Sequence, residues 1–204
     1  MTADGPDHGI ARILGIEASP RKRGNSHMLL QAVLDGARGN GADGQAVHLR
    51  EYRYEPCLGC EACRKAGVCT GLQDGMTLLY PKIEQCSGLA LVSPVHQYNI
   101  SARMKAFLDR LYCYYDFTNT RPRGWSSRLA GQGRKAVIGV VAEQAEKKDT
   151  GVALEAMRLP LAALGYDIVG EFIALGLFDL GRVAQHEDIL AQAREAGKQL
   201  AGAL

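Results

Sequence analysis

Apolar residues recur along the chain in short runs, and the stretches between these runs have the periodicity of amphipathic helices. Continuous runs of this kind favour strands buried on both faces. They occupy Ile10–Glu17, Gln45–Leu49, Gly88–Pro94, Ala136–Ala142 and Asp167–Leu175. Spacings of three and four residues predict helices instead. Those helices cover Asn25–Ala37, Met76–Ile83, Ser101–Tyr115, Gly151–Leu164 and Glu187–Leu204.

Strands that alternate with helices predict a parallel sheet covered by helices on both faces. Five such units suit an α/β doubly wound three-layer sandwich with strand order 2-1-3-4-5. We expect a single domain over residues 10–204, with a cysteine-rich insertion at 51–74 and a disordered tail at 1–9. The one long irregular stretch is Phe117–Arg134, and a loop of that length is usually functional or mobile.

Net charge and composition limit the kinds of molecule and membrane that the protein is expected to bind. The 204 residues carry a formal net charge of +2, which is too small to indicate binding to nucleic acid or to an acidic membrane surface. The sequence has no apolar run long enough to span a bilayer and no signal-peptide pattern at its start. We therefore expect a cytoplasmic protein whose cysteines stay reduced, so that clustered cysteines indicate metal or redox chemistry.

The loop after the first predicted strand carries a candidate phosphate site. In the sequence SPRKRGNS, short polar side chains, a glycine and an arginine stand directly before a helix: Ser19, Arg21, Gly24, Asn25 and Ser26. A helix N-terminus and an arginine fork suit a phosphomonoester. Neither the dinucleotide glycine fingerprint nor a Walker loop is present. The alternative is a solvated turn in which Asn25 or Ser26 caps the helix.

A second loop follows the third strand, on the other side of the topological switch point. It comprises Pro94, Val95, His96, Gln97, Tyr98 and Asn99. Loops one and three face each other across one crevice in this strand order. The second loop could therefore run along the edge of a flat ring, with His96 or Tyr98 close to it. The alternative is an exposed histidine and a tyrosine that only packs.

Four of the six cysteines form a compact motif, C-x2-C-x2-C-x5-C, at Cys57, Cys60, Cys63 and Cys69. Compact runs of this kind ligate [4Fe–4S] clusters through four thiolates. Structural zinc sites usually combine two separated cysteine pairs. Three alternatives remain open: zinc, a metal-free loop, and a reversible Cys57–Cys60 disulfide. Cys86 and Cys113 lie in core-like patterns and are expected to be buried apolar residues.

These three motifs carry a family resemblance. SPRKRGNS, CLGCEACRKAGVC and SPVHQYNISARMKAFLDR occur in order, and over residues 10–175 the chain resembles the NAD(P)H-dependent FMN reductase group of flavodoxin-like proteins. With its cysteines it is most similar to the iron–sulfur flavoproteins of that group. The resemblance implies that Ser19, Arg21, Asn25 and Ser26 bind the FMN phosphate. It further implies that Pro94–Asn99 lines the isoalloxazine, with Ser101 close to the flavin.

The loop after the fourth strand departs from the family pattern. It reads AEQAEKKDTG, where small residues often stand beside the flavin, although Glu143 and Gln144 could still contact it. Trp125 in the long loop and Tyr115 just before it are candidates for a lid on the flavin. The alternative is that Trp125 only anchors the loop to the protein surface.

The resemblance implies an FMN-dependent oxidoreductase that needs no catalytic side chain, because the flavin carries the redox chemistry. Electrons would come from NAD(P)H or from a ferredoxin, and a [4Fe–4S] cluster would exchange single electrons with FMN. Without a cluster, the expected activity is NAD(P)H-dependent reduction of free flavin or a quinone. A flavodoxin-like carrier without enzymatic activity is the third reading. The family also leads us to expect a homodimer or a homotetramer.

Overall fold

Five parallel strands and one short antiparallel strand form the central sheet of the computed structural model, which describes residues 12–204. In chain order the strands are β1 (Arg12–Glu17), β2 (Asp43–His48), β3 (Gly88–His96), β4 (Asn99–Ile100), β5 (Tyr115–Phe117), β6 (Trp125–Ser127), β7 (Lys135–Val141) and β8 (Asp167–Ala174). The central sheet has the order β2-β1-β3-β7-β8, and every pair along that path is parallel. This is the predicted 2-1-3-4-5 order of a flavodoxin-like fold. The predicted tail at 1–9 and the first two residues of the first predicted strand lie outside the described residues.

Helices cover both faces of the sheet and give the three layers. They are α1 (Asn25–Arg38), α2 (Cys63–Ala66), α3 (Tyr80–Gln85), α4 (Ala102–Arg110), α5 (Glu155–Leu164) and α6 (Glu187–Gly202). One core joins α1 and α6 to the sheet through residues such as Leu30 and Leu200. The other joins α3, α4 and α5 through residues such as Phe107 and Leu161. Within residues 12–204, every helix is too short or too polar to cross a bilayer.

Two glycines let α1 and α6 pack with their backbones in contact. A Cβ on Gly197 would overlap the carbonyl oxygen of Val33, and a Cβ on Gly36 would overlap the carbonyl oxygen of Arg194. Small residues at a helix crossing allow the shortest approach of the two axes. The closing helix α6 therefore packs on the sheet of its own chain.

The segment predicted to be irregular contains a short hairpin. Strands β5 and β6 pair in antiparallel fashion, with Phe117 opposite Trp125. The helix predicted to run to Tyr115 ends at Arg110, and a 3-10 turn leads from there to Tyr114. Tyr115 instead begins β5, which corrects that prediction. The i, i+3 spacing of Tyr112 and Tyr115 matched a helix because a 3-10 turn has nearly the same period.

Helix α5 begins four residues later than predicted. Residues 147–150 form a 3-10 turn, and Gly151 has a positive φ of 55° that ends it. A Cβ on Gly151 would overlap the backbone of Tyr98, and the amide of Val152 donates to the Tyr98 carbonyl oxygen at 2.9 Å. The loop after β7 is thereby fixed against the loop after β3.

Candidate functional site

A cavity of about 530 Å³ opens at the carboxyl edge of the sheet, where parallel folds of this kind bind their ligands. We call it the edge cavity. Its lining comprises Ser19, Pro20, Arg21, Asn25, Ser26, Pro94, Val95, His96, Gln97, Val141, Glu143, Leu177 and Phe178. The two loops predicted to meet across the switch point therefore do line one cavity.

The loop after β1 presents the N-terminus of α1 to this cavity. Helix α1 starts at Asn25, so the amides of its first turn have no acceptor within the helix and carry the positive end of its dipole. The hydroxyl of Ser19 accepts from the Arg21 amide at 3.1 Å and fixes the turn. A Cβ on Gly24 would stand 3.3 Å from that hydroxyl oxygen. A side chain at position 24 would therefore crowd the Ser19 hydroxyl, which glycine avoids. Gly24 itself does not line the cavity.

The side chain of Asn25 is occupied within the protein. Its amide nitrogen donates to the carbonyl oxygen of Asp179 at 3.0 Å, and its oxygen accepts from the Val183 amide at 3.0 Å. Asn25 therefore holds the loop after β8 against the loop after β1, and only its backbone amide is free to face a phosphate. Arg21 makes a similar tie, because it donates to the Phe178 carbonyl oxygen at 2.5 Å and lies over the Phe178 ring.

Below this loop, a buried carboxylate holds the end of β1. Glu17 is fully buried, accepts from the Ser19 amide at 2.7 Å and from His48 at 2.9 Å, and pairs with Arg50. His27 stands against His48 with ring centroids 4.8 Å apart. Burial lowers the pKa of His27, and neighbouring His48 lowers it further. Since Arg50 already neutralises Glu17, we assign this group the structural role of positioning Ser19.

The loop after β3 is a tight two-residue hairpin. His96 pairs with Asn99 across the turn, and the two central residues, Gln97 and Tyr98, have positive φ values of 50° and 61°. Turns with positive φ at both central positions match the twist of paired strands, but they normally use asparagine or glycine. The turn points Gln97 into the edge cavity, whereas Tyr98 is 63% exposed and does not line it.

Two more predicted site residues lie outside the lining of the edge cavity. The side chain of Asn99 accepts from the Ile100 amide at 2.8 Å. Ser101 is buried, caps α4 by accepting from the Met104 amide at 3.3 Å, and donates to the carbonyl oxygen of Ala18 at 3.1 Å. Ser101 thus ties the ends of β1 and β3 together from below.

Four residues that line the edge cavity were not among the predicted site residues: Pro20, Val141, Leu177 and Phe178. Phe178 is 53% exposed beside Arg21, which places an aromatic ring at the cavity mouth. The available signal was topological, because the loop after the fifth strand ends at the same edge of the sheet as the loops after strands one and three.

A second opening of about 480 Å³ adjoins the edge cavity, and we call it the side cavity. It is lined by Val95, Gln97, Tyr98, Ala142, Glu143, Gln144 and Asp149. Val95, Gln97 and Glu143 line both openings. The bulky residues of the departing loop, such as Lys147 and Lys148, are exposed and do not line either cavity.

The four clustered cysteines line a separate cavity of about 260 Å³, which we call the cysteine cavity. Its lining comprises Cys57, Leu58, Gly59, Cys60, Glu61, Cys63, Cys69, Gly71, Leu72, Arg110 and Tyr112. Burial raises the pKa of the Cys63 thiol, and the neighbouring thiols of Cys69, Cys57 and Cys60 raise it further. All six cysteines are free thiols.

The chain wraps closely around these sulfur atoms. A Cβ on Gly71 would stand 2.7 Å from the Cys60 sulfur, so a larger residue there would compete with it for space. Gly67 ends α2 with a positive φ of 70°, and its amide donates to the Cys63 carbonyl oxygen at 2.8 Å. Cys86 and Cys113 are buried outside this lining, as predicted.

The β5–β6 hairpin packs against the cysteine segment. Arg128 donates to the carbonyl oxygens of Gly67 and Cys113, and Arg123 pairs with Glu61 at 2.7 Å. Trp125 packs edge-on against Tyr115, with ring centroids 5.4 Å apart, and 56% of it is exposed. Neither ring lines the edge cavity. The arrangement therefore favours a long loop that is anchored to the protein surface over a loop that forms a lid on a flavin.

Family comparison agrees with this geometry. A model of the NADPH-dependent FMN reductase family matches residues 11–179. The chain belongs to this family. The match begins at β1 and ends just beyond β8, and it includes every segment that lines the edge cavity and the cysteine cavity.

Named relatives of this FMN reductase family member are iron–sulfur flavoproteins. One from Archaeoglobus fulgidus is 35% identical over 50% of this chain and 46% of its own. One from Methanocaldococcus jannaschii is 30% identical over 67% of this chain and 63% of its own. A second Archaeoglobus protein is 27% identical over 83% of this chain and 79% of its own. The chain thus spans about half to two thirds of the length of the first two relatives.

Solved structures share the fold of this FMN reductase family member. An NAD(P)H:quinone oxidoreductase from Methanothermobacter marburgensis superimposes with a TM-score of 0.69 at 22% identity, over 94% of this chain and 97% of its own. An FMN-dependent NADH-azoreductase from Bacillus anthracis, solved with FMN, superimposes with a TM-score of 0.65 at 15% identity, over 94% and 100%. At these identities the likeness establishes the flavodoxin-like fold alone.

Proposed function

We propose that this protein is an FMN-dependent oxidoreductase that also holds a [4Fe–4S] cluster, and relatives named iron–sulfur flavoproteins support the proposal. The observation that carries the proposal is the cysteine cavity, where four thiols of one short segment line one space of about 260 Å³. Four cysteine thiolates are the ligand set of such clusters. The ligands would be Cys57, Cys60, Cys63 and Cys69.

The edge cavity suits FMN. Its volume of about 530 Å³ lies in the usual range for cofactor sites, roughly 300–1,000 Å³. When bound, FMN supplies one- and two-electron transfer. The amides at the start of α1 and the remaining N–H groups of Arg21 would hold its phosphate. Pro94–Gln97 would lie along its ring, with Glu143 on the opposite loop.

The residues of the chain would bind and orient, and no side chain is proposed as a catalytic acid or base. Glu17 fixes Ser19, Asn25 fixes the loop after β8, and the Gln97–Tyr98 turn fixes the ring-edge loop. These ties would hold the proposed phosphate-binding amides and the proposed ring-edge loop in one rigid frame. Preorganised binding groups of this kind cost little reorganisation when a ligand enters.

The side cavity supports a second candidate, reduction of a small molecule at the expense of NAD(P)H. It adjoins the edge cavity, so a donor or acceptor there would lie next to a bound flavin. Its lining includes the carboxylates of Glu143 and Asp149. These two carboxylates would repel an anionic ligand. An uncharged acceptor such as a quinone therefore suits this cavity better than a ligand that carries an additional phosphate group.

The partners and assembly also belong to this proposal. A one-electron donor such as a ferredoxin would suit the surface around the cysteine cavity, where the lining residue Leu58 is 63% exposed and Val68, directly before Cys69, is 52% exposed. A homodimer or homotetramer is the expected assembly, and light scattering on the purified protein checks it.

The deciding experiment is metal and flavin analysis of anaerobically purified protein. We expect one FMN and about four irons with four labile sulfides per chain. Flavin without iron, even after anaerobic reconstitution, would leave an FMN reductase without a cluster. Zinc in place of iron would replace the cluster proposal by a zinc site. Steady-state turnover of NAD(P)H with a quinone would separate an enzyme from an electron carrier.

Matched variants assign the two sites. Cys60→Ser should lose iron and keep FMN, while Cys86→Ser, which alters a buried cysteine outside both cavities, should keep both. Arg21→Ala should weaken FMN binding and keep iron. Loss of both cofactors in Cys60→Ser would contradict the assignment, because it would make the cysteine segment chiefly structural.

A further inference from the structure

A buried arginine stands beneath the cysteine cavity. Arg110 is the last residue of α4, its side chain is only 1% exposed, and it lines the cavity. One guanidinium nitrogen donates to the Cys69 sulfur at 3.6 Å. The same guanidinium grips Asp74 at 2.6 and 3.1 Å and donates to the Glu55 carbonyl oxygen at 2.8 Å.

Burial of a guanidinium carries a large desolvation cost unless its charge and its N–H groups are matched. Asp74 supplies the opposite charge, yet its carboxylate is shared with the amides of Met76 and Glu55, at 3.0 Å each. The Nε of Arg110 is buried and has no partner among residues 12–204. Asp74 and the Glu55 carbonyl oxygen therefore match only part of the charge and the N–H groups of Arg110. The cysteine cavity is the neighbouring space that could hold further negative charge.

We propose that Arg110 is a positioning residue that raises the reduction potential of a cluster held by the four cysteines, and this inference rests on the proposed function. Reduction adds one electron to the cluster and removes one from a one-electron donor, so the reduced cluster carries one more negative charge. A buried cation and an N–H···S hydrogen bond both stabilise the more negative state. Arg110 supplies both through one side chain.

Asp74 acts in the opposite direction, because it neutralises part of the Arg110 charge. An Asp74→Asn variant removes that anion and leaves the Arg110 cation to act on the cavity. An Arg110→Lys variant keeps the charge, but lysine has a single nitrogen where arginine has a fork. Asp74 would engage that nitrogen, and the hydrogen bond to Cys69 would be lost.

The test is an anaerobic redox titration of the cluster in the intact protein, followed by electron paramagnetic resonance, with iron, sulfide and FMN measured on each sample. For Arg110→Lys we expect the ratio of reduced to oxidised cluster at fixed potential to fall about tenfold, which is about 59 mV for a one-electron couple. For Asp74→Asn we expect the potential to rise. A structural role for the pair would not shift the potential in opposite directions.

Arg134→Lys is the matched control. Arg134 is also a buried arginine, and it donates to the carbonyl oxygens of Ile83, Cys86 and Glu84 rather than to a sulfur of the cysteine cavity. Its replacement should lower stability and leave the cluster potential unchanged.

The outcomes separate the two proposals. A wild-type protein without iron and sulfide overturns the proposed function and this inference with it. A loaded wild-type cluster whose potential is unchanged in Arg110→Lys, or is shifted as far by Arg134→Lys, overturns the inference alone. If Arg110→Lys fails to fold or to hold iron, Asp74→Asn decides, since an unchanged or lower potential in that variant rejects the role of Arg110.

Discussion

At the cysteine cavity, the backbone of Gly71 lies so close to the Cys60 sulfur that no room is left for a side chain. Gly71 lies two residues after Cys69, and its position leaves a Cβ only 2.7 Å from the Cys60 sulfur. A real Cβ would need the sulfur to move, and a sulfur that binds a metal cannot move freely. Glycine at position 71 therefore suits the proposed cluster, in which the Cys60 sulfur would be held in place.

At this scale the first prediction is that Gly71→Ala lowers the iron content several-fold and leaves FMN binding unchanged, because the edge cavity shares no lining residue with the cysteine cavity. Iron and flavin assays on anaerobically purified protein check it. Gly39→Ala is the control, since its Cβ would meet no atom closer than 3.4 Å. Full iron loading in Gly71→Ala would mean that Cys60 is not held in this position.

Single residues also show where sequence reasoning reached its limit. The type of residue at position 25 predicted a phosphate contact or a cap, but its side chain bonds to a loop more than 150 residues later in the chain. Local spacing carries no information about which distant loop arrives there. Phe178 and Arg110 were missed for the same reason, because only the tertiary fold brings them to the two cavities.

At the scale of elements, the hairpin after β3 uses two residues that are poorly suited to it. Gln97 and Tyr98 both have positive φ, which costs roughly 1–2 kcal/mol for a residue with a Cβ. Strain of this kind tends to persist where function requires a particular backbone. Here it sets the course of the loop that lines the edge cavity.

The element-scale prediction is that Tyr98→Gly raises the free energy of unfolding by up to about 1 kcal/mol, because glycine adopts positive φ without steric cost. Tyr98 is largely exposed, so little burial is lost. Chemical denaturation measures the change. Tyr98→Ala keeps the Cβ and should show no such gain, and equal stabilisation by both variants would refute the strain argument.

Elements differed in how well the sequence predicted them. Apart from the more polar β2, the strands of the main sheet are mostly apolar runs of six to nine residues, and each of the five was predicted within two residues at its described ends. Strands β5 and β6 have three residues each, too few to show a period, and they lie among turn-forming residues. Their pairing depends on contacts with the cysteine segment, such as Arg128 with Gly67, which no local pattern contains.

At the scale of the whole molecule, one layer of the sandwich depends on backbone contact between α1 and α6. The contact is possible because Gly36 and Gly197 face the partner helix. The same pair of helices bounds the core on that face of the sheet, through residues such as Leu29, Val33 and Ala193.

We therefore expect Gly197→Ala to lower the free energy of unfolding by about 3 kcal/mol, because the added methyl group forces α6 away from α1. Thermal and denaturant unfolding would measure the loss. Gly202→Ala, near the end of the same helix, has a nearest neighbour at 3.4 Å and should be neutral or slightly stabilising. Unchanged stability of Gly197→Ala would show that the helices are not in backbone contact.

The contacts of Arg128 and Arg123 with the cysteine segment have a consequence for rebuilding the proposed cluster after it is lost. Arg128 and Arg123 hold that segment through Gly67 and Glu61, and neither contact involves a metal. Exposed iron–sulfur centres are vulnerable to oxygen, and a segment that collapsed after each loss would have to be refolded. A segment tied to the hairpin would keep its four thiols gathered, so for the proposed cluster we expect reconstitution after its loss to need only iron, sulfide and a reductant.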